Sequence, residues 1–249
     1  MSTPLPAAVV SAFARAGALR ASINLGNPIL ANKDPASGEP VGVSVDLARE
    51  FARRLGVAIE LVVFEKAAAS VEAVRSEQAD IGFFAIDPLR SEGMQFTAPY
   101  VLIEGSYLVP TSCALQRNED VDRAGTRIAV GAGSAYDLFL TREIKQADII
   151  RVQGAKGVME SLNAGQVEVA AGIRQVLEAE AAGTPGLRLL PGRFMVIQQA
   201  MGTPASRGPE AGAALSAFVE EMKASGFVAD ALKRHRVQGA SVAPAGHTA

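Results

Sequence analysis

The chain has 249 residues, of which 49% are hydrophobic and 20% charged, and this composition is typical of a globular protein that can bury a full core. Its formal net charge of −2 gives no electrostatic reason to bind nucleic acid or an anionic membrane surface, and its apolar runs are far shorter than the roughly 20 residues of a membrane-spanning helix. The single cysteine, Cys113, excludes an intrachain disulfide and a multi-cysteine metal site, and the two histidines give little basis for a catalytic triad or a zinc site, so we expect no metal and no cofactor.

The first half of the chain alternates strand and helix patterns. Strands are predicted at residues 19–25, 57–64 and 80–86, and helices at 45–55 and 67–76, with a loop rich in Asn, Pro and Gly at 26–40. The helix at 45–55 has apolar residues three and four positions apart, as in a helix with one buried face. A β-α-β-α-β order with short connections predicts a parallel sheet that has helices on both faces.

The middle of the chain repeats this alternation. Strands are predicted at 127–130, 149–152 and 167–171, and helices at 135–143 and 158–164. Residues 74–82 and 162–170 resemble each other weakly, since each runs from a helix end through Gln to an acidic residue that opens an apolar strand. The segment 209–235 has the pattern of two helices on either side of Gly226, and the tail at 240–249, which contains His247, is expected to be frayed.

These patterns together predict an α/β fold with two Rossmann-like lobes. Lobe 1 is predicted to comprise residues 1–108 and 198–249, and lobe 2 residues 109–197. The chain would cross between the lobes at about 106–110 and 196–202. Two crossings form a hinge, so we expect a cleft between the lobes that opens and closes.

Four stretches of the sequence, in the same order, resemble the type II periplasmic solute-binding proteins, in particular their amino-acid-binding branch, the bacterial extracellular solute-binding proteins of family 3. They are Pro40 to Ala48, Ala79 to Tyr100, Gly131 to Tyr136 and Phe218 to Phe227. The second stretch is the most specific, because its Arg90, Phe96 and Tyr100 fall at the family spacing. The resemblance implies a periplasmic-binding-protein-like II fold, a small ligand held in the interlobe cleft, and delivery of that ligand to the membrane subunits of an ABC-type transporter.

The same resemblance assigns a role to Arg90, which stands where the family pairs an arginine with the α-carboxylate of the ligand. A guanidinium is suited to this role because its planar fork matches a carboxylate with two charge-assisted hydrogen bonds. The alternative is a surface arginine beside the turn that Asp87 and Pro88 predict. Ala85 stands where the family has a threonine, so only its backbone remains to contact a ligand.

In the second lobe, Ser134 takes the place of a family threonine just before a helix. A serine there commonly caps the helix, and the N–H groups of the first turn also favour an anion. The two roles are compatible, so Ser134 and Ala135 are predicted as a second carboxylate contact. Tyr136 is a weaker candidate.

Ile173 departs from the family pattern, because amino-acid binders place an aspartate there to neutralise the ammonium group of the ligand. An ammonium group enclosed without a counter-charge carries a desolvation cost of several kcal/mol. The sequence therefore favours a carboxylate ligand without an α-amine, such as a keto, hydroxy, dicarboxylic or aromatic acid. Arg174 is either a second positive charge for that ligand or a solvated residue at the start of a helix.

Three further residues are predicted to line the cleft in the first lobe. The amides of Asn24 and Asn27 either bond a hydroxyl or keto oxygen of the ligand or shape the turn after the first strand. Phe83 stands where the family has glycine, and its ring either packs in the core or narrows the cleft and stacks on the ligand.

The leading functional hypothesis is a monomeric solute-binding protein that is not an enzyme. The alternatives are a cyclohexadienyl-dehydratase-like enzyme on the same fold, with Glu65, Asp87 or Glu104 as general acid, and a ligand-sensing domain. The N-terminus has no signal-peptide pattern. The resemblance favours a periplasmic location if a leader has been removed, and a cytoplasmic one remains the alternative.

Overall fold

The computed structural model describes residues 5–15 and 17–246, and it divides into two compact units. Unit 1 comprises Met1–Leu102 and Gln198–Ala249, and unit 2 comprises Ile103–Ile197. Helices and strands alternate along the chain, so the predicted α/β class is confirmed.

Helices and strands are numbered here in chain order. The helices are α1 (Ala7–Phe13), α2 (Val43–Leu55), α3 (Ala67–Arg75), α4 (Pro88–Ser91), α5 (Ala135–Glu143), α6 (Gly154–Asn163), α7 (Arg174–Gly183), α8 (Pro209–Ala224) and α9 (Phe227–Arg234). The strands are β1 (Ala18–Asn24), β2 (Asn32–Lys33), β3 (Pro40–Val41), β4 (Ala58–Phe64), β5 (Ile81–Ala85), β6 (Met94–Phe96), β7 (Val101–Pro110), β8 (Arg127–Gly131), β9 (Asp148–Val152), β10 (Val169–Ile173), β11 (Leu187–Leu189), β12 (Met195–Pro204) and β13 (Ser241–Val242).

The sheet of unit 1 has the strand order β4-β1-β5-β12. The strands β4, β1 and β5 are parallel, with Ser22 opposite Gly82, and β12 is antiparallel to β5. At the amino-terminal edge of this sheet, the buried Asp80 forms ion pairs with Arg20 at 2.8 Å and with Arg207 at 2.7 Å. The carboxyl ends of β1 and β5 meet at the opposite edge.

Helix α2 shows how the sequence specifies the core of unit 1. It ends at Gly56, which adopts the left-handed conformation (φ 70°) that terminates many helices. Its buried face includes Phe51, whose ring centroid lies 5.0 Å from that of Phe13 and 4.9 Å from that of Phe218. Three helices that are distant in sequence therefore share one aromatic core.

The sheet of unit 2 has the strand order β7-β10-β8-β9, with β8, β9 and β10 parallel and β7 antiparallel to β10. Strand β10 extends to Ile173, beyond the predicted strand end at residue 171, and α7 begins at the next residue. Buried side chains from β7, β8 and β10, such as Tyr107, Val130 and Val169, form part of its core.

Several segments differ from the sequence prediction. Residues 106–110, predicted as a crossing, are the second half of β7, and the first boundary between the units falls between Leu102 and Ile103. The predicted loop at 26–40 contains β2 and the first residue of β3, and these two strands pair as a small antiparallel hairpin. The tail is not frayed over residues 241–243, because β13 pairs with Val101 and Leu102 and Ala243 is buried; His247 lies outside the described residues. No described helix combines the length and the apolar character needed to cross a membrane.

Candidate functional site

In unit 1, the predicted site residues gather at one edge of the sheet. Strand β1 ends at Asn24 and β5 ends at Ala85, and the two strands are parallel neighbours. Their carboxyl ends therefore lie side by side, and the loops that follow carry Asn27 and Arg90. In open α/β sheets, ligands bind outside this edge.

Arg90 belongs to the short helix α4, which Asp87 caps. The Asp87 Oδ1 accepts a hydrogen bond from the Leu89 N–H at 2.9 Å, and the Asp87 carbonyl accepts one from the Arg90 N–H at 3.0 Å. Arg90 is only 6% exposed, whereas Leu89 is 62% exposed. The alternative of a solvated surface arginine is therefore wrong.

The burial of Arg90 makes the charged form of its guanidinium less favourable than it is in water. Desolvation lowers the pKa of the Arg90 guanidinium to about 10, and the nearby charge of Asp87 opposes this shift. The group stays protonated at neutral pH, but it holds its positive charge in a poorly hydrated place. A carboxylate bound there would interact with it more strongly than in water. Ala85 is buried beside it, and its carbonyl accepts a bond from Arg90 at 3.4 Å.

The asparagine that ends β1 and the one in the loop after it differ in their contacts. The Asn24 Oδ1 accepts a hydrogen bond from the Gly26 N–H at 2.9 Å, so this side chain shapes the turn. Asn27 is 8% exposed, and its Oδ1 is buried with no hydrogen-bond partner in the described part of the chain. Of the two, Asn27 has the amide oxygen whose hydrogen-bonding capacity is unused among the described residues.

Phe83 packs in the core of unit 1. Its ring meets that of Tyr100 edge-on at 6.1 Å, and both residues are buried. The Tyr100 hydroxyl lies 3.3 Å from the Ser44 Oγ, and burial raises the pKa of Tyr100. These contacts fit the core-packing alternative for Phe83 and connect β5 to the start of α2.

In unit 2, Ser134 caps helix α5, since its Oγ accepts a hydrogen bond from the Asp137 N–H at 3.1 Å. The buried Asp137 carboxylate accepts bonds from the Gly133 N–H at 2.8 Å and from the Arg151 Nε at 3.0 Å. Among the described contacts, the backbone N–H groups of Ala135 and Tyr136 have no partner, as is usual in the first turn of a helix.

Sequence reasoning missed Asp137, although the spacing Ser134-x-x-Asp137 is a capping signal that could have identified it. The Asp137 carboxylate already accepts a hydrogen bond from one N–H group of this turn. Fewer N–H groups are therefore left to bind a ligand carboxylate than the sequence predicts. Burial raises the pKa of Tyr136, and hydrogen bonds with Ser134 and Gly131 oppose that shift. The Tyr136 hydroxyl therefore contacts the same turn that Ser134 caps.

At the end of β10, Ile173 is followed by an ionic cluster. Arg174 donates hydrogen bonds to the Glu104 Oε2 from Nη1 at 2.7 Å and to the Glu178 Oε1 from Nε at 3.0 Å. Arg193 bonds the other oxygen of Glu104 at 2.6 Å. Arg174 is thus compensated by two carboxylates rather than solvated, and it offers less positive charge to a ligand than the sequence suggested.

The three carboxylic acids considered for catalysis are otherwise engaged. Arg193 and then Arg174 lower the pKa of Glu104, so this group is a carboxylate at neutral pH. Glu65 is exposed and pairs with Lys33 at 3.0 Å, and Asp87 caps α4. Within residues 5–15 and 17–246, no group of three or more His, Cys, Asp or Glu side chains is placed to hold a metal ion.

A sequence model of the bacterial extracellular solute-binding proteins, family 3, matches residues 27–237. The chain belongs to this family. The resemblance based on the four stretches is thereby confirmed, and the protein is a solute-binding protein of family 3. No curated protein matches the chain.

Solved structures share the fold of this solute-binding protein. The solute receptor for L-cysteine of Neisseria gonorrhoeae is 22% identical, with 92% of this chain and 95% of that chain covered and a TM-score of 0.77. The substrate-binding protein AbpA from Streptococcus pneumoniae, bound to L-arginine, is 19% identical, with 90% and 97% covered and a TM-score of 0.76. An ancestral amino acid-binding protein, a precursor of cyclohexadienyl dehydratase, is 19% identical, with 90% and 98% covered and a TM-score of 0.73. These similarities confirm the predicted fold class, two Rossmann-like α/β lobes of the periplasmic-binding-protein-like II type.

Proposed function

We propose that this family 3 solute-binding protein captures a small carboxylate ligand that lacks an α-ammonium group. Arg90 of unit 1 binds the carboxylate, and the turn at Ser134 and Ala135 of unit 2 makes a second contact. The observation that carries the proposal is the burial of Arg90 at the carboxyl edge of the sheet. A cation in so dry a position favours an anion more than any hydrated surface arginine does.

The refusal of an α-ammonium is argued from the end of β10. Ile173 is apolar, and its neighbour on β7 is Gly105, next to Glu104. Both oxygens of Glu104 are bound to arginines. An ammonium group enclosed beside Ile173 would lack a free carboxylate there, at a cost of several kcal/mol.

The proposed binding role also implies a cellular location and a partner for the protein. We propose that the protein is a monomer in the periplasm and delivers its ligand to the membrane subunits of an ABC-type uptake system. We do not propose catalysis, because an acid catalyst needs a raised pKa and the arginines at Glu104 lower the pKa of that residue.

A thermal-shift screen at neutral pH tests the proposal. One panel contains α-amino acids and the other contains keto, hydroxy, dicarboxylic and aromatic acids. At about 100 times Kd, binding adds about 2.7 kcal/mol, or very roughly 5–10 °C for a chain of this length. Stabilisation by the amine-free acids alone is expected, and stabilisation by an α-amino acid would show that the role given to Ile173 is wrong.

Two variants of Ile173 sharpen this screen. Ile173→Asp supplies the missing carboxylate, so we expect it to weaken the binding of amine-free acids and to raise the affinity for α-amino acids about tenfold or more. Ile173→Asn has nearly the same shape without the charge and is the matched control. Equal responses of the two variants would contradict the electrostatic explanation.

A further inference from the structure

Within the described part of the chain, the amide oxygen of Asn27 is a buried acceptor that has no donor. Asn27 is 8% exposed, and its Oδ1 accepts no hydrogen bond from any residue that the structure describes. Buried polar atoms in native proteins almost always have a partner, so an exception requires an explanation. Asn24, three residues earlier, is the contrast, because its Oδ1 accepts a hydrogen bond from the Gly26 N–H.

The backbone around Asn27 is held firmly. Its carbonyl accepts hydrogen bonds from the N–H groups of Leu30 and Ala31, each at 3.1 Å, and both of those residues are 2% exposed. The Leu30 carbonyl in turn accepts a bond from the Ser44 N–H, in the first turn of α2, at 3.1 Å. A side chain on Gly42 would overlap this carbonyl, so the glycine allows the loop to approach the helix closely. The unpartnered oxygen is thus a feature of a fixed loop.

The position of Asn27 connects it to the carboxylate site. It follows the end of β1, and Arg90 follows the end of the neighbouring parallel strand β5, so both lie at the edge of the sheet where ligands bind. Because the Asn27 oxygen is buried in the absence of a ligand, the inference requires the amide to rotate about its Cβ–Cγ bond when a ligand binds, and this torsion is broad for asparagine.

We infer that the ligand is a hydroxy acid, whose carboxylate binds Arg90 and whose hydroxyl donates a hydrogen bond to the Asn27 Oδ1. This inference rests on the proposed function. A keto oxygen is only an acceptor and cannot satisfy another carbonyl oxygen, whereas a hydroxyl donates. An unsubstituted acid offers no donor at that position. An ammonium group also donates, but it brings the charge that Ile173 leaves without a partner.

Calorimetric titration at pH 7 with matched acids tests the inference. Each carbon skeleton is tested in four forms: hydroxy, keto, unsubstituted and amino. The three-carbon set is lactate, pyruvate, propionate and alanine; the dicarboxylic set is malate, oxaloacetate, succinate and aspartate; and the aromatic set is phenyllactate, phenylpyruvate, phenylpropionate and phenylalanine. We expect the hydroxy form of the preferred skeleton to bind about tenfold more tightly than its keto and unsubstituted forms, since a site with a buried acceptor discriminates against analogues that leave it unpaired.

The variant Asn27→Ala is expected to abolish this preference, so that the three amine-free forms bind with similar affinity. The matched control is Asn24→Ala, which removes the same type of side chain from the end of β1, where the amide oxygen already has a donor, and is expected to leave the ratio of affinities unchanged. Should Asn27→Ala fail to fold, the ratio measured on the unmodified protein decides alone.

The outcomes separate the inference from the proposed function. Binding of an amine-free acid with no preference for the hydroxy form, or with the same preference in Asn27→Ala, overturns the inference and leaves the proposed function standing. Tightest binding of the amino form, or no binding by any of the acids, overturns both. A preference for the hydroxy form that Asn27→Ala removes and Asn24→Ala keeps supports both.

Discussion

Replacing Arg90 by methionine should stabilise the protein without ligand while it abolishes ligand binding. Desolvation lowers the pKa of Arg90 to about 10, well below the ordinary value of an arginine, and at about 1.4 kcal/mol for each pH unit this corresponds to roughly 3 kcal/mol of stability lost by burying the charge. Because the pKa is lower in the folded state, the full cost is present at every pH below about 10 and is lost as the pH rises above that value. Methionine keeps the apolar stem and removes the charge, so we expect a gain of about 1–3 kcal/mol at pH 7.

Urea denaturation of the unliganded protein measures this gain, with Arg90→Lys as the control that keeps a positive charge. The lysine variant should be no more stable than the unmodified protein and should bind the carboxylate ligand more weakly, whereas the methionine variant should not bind it. A methionine variant that is less stable than the unmodified protein would refute the reasoning. That result would mean that the contacts Arg90 makes within the fold, such as those with the Ala85 carbonyl and the Asp87 charge, outweigh the cost of burying its own charge.

Three further predictions concern charge. The hydrogen bond from Arg53, and then that from Arg54, lowers the pKa of Glu50 to about 2. The stability that the ionised Glu50 contributes is therefore present above about pH 4.5 and is lost as the pH falls to 2. In urea denaturation, Glu50→Gln should cost on the order of 1–2 kcal/mol at pH 7 and nothing at pH 2. Asp80→Asn should cost about 3–5 kcal/mol, because it leaves the buried Arg207 without its closest carboxylate; chemical denaturation measures the loss, and a cost below 1 kcal/mol would contradict it. Calorimetry should show constant ligand affinity from pH 6 to 9 and a decline above about pH 10 as Arg90 loses its proton.

Local patterns in the sequence predict much of the fold. The apolar spacing in α2 and the left-handed Gly56 and Gly226 mark helix boundaries that depend on a few neighbouring residues. Strands β1, β4 and β5 are mostly buried or half-buried, and their apolar runs are visible in the sequence. These features need no knowledge of distant contacts.

The contacts that sequence reasoning missed join residues that are far apart in the chain. Glu104 and Arg193 are 89 positions apart, and their ion pair gives no periodic signal. The tail strand β13 is stabilised by pairing with Val101 and Leu102, so its own composition gives no reason to expect order.

The residue types of the candidate site were predictable, but their environments were not. The sequence placed Arg90 at the family position, but its burial depends on how β5 and α4 pack. Asn24 and Asn27 are the same residue type, and the structure distinguishes them by the burial of Asn27 and by the hydrogen bond that Asn24 accepts from Gly26. Whether a polar group is satisfied depends on three-dimensional contacts, which one sequence does not contain.

Hydrogen exchange with and without a saturating amine-free acid tests most directly the proposal that both units hold the ligand. Peptides that cover residues 85–91, around Arg90, and residues 133–137, around Ser134, should both exchange more slowly when the ligand is bound. Slower exchange in only one of the two segments would contradict the proposal, because the ligand would then be held by a single unit.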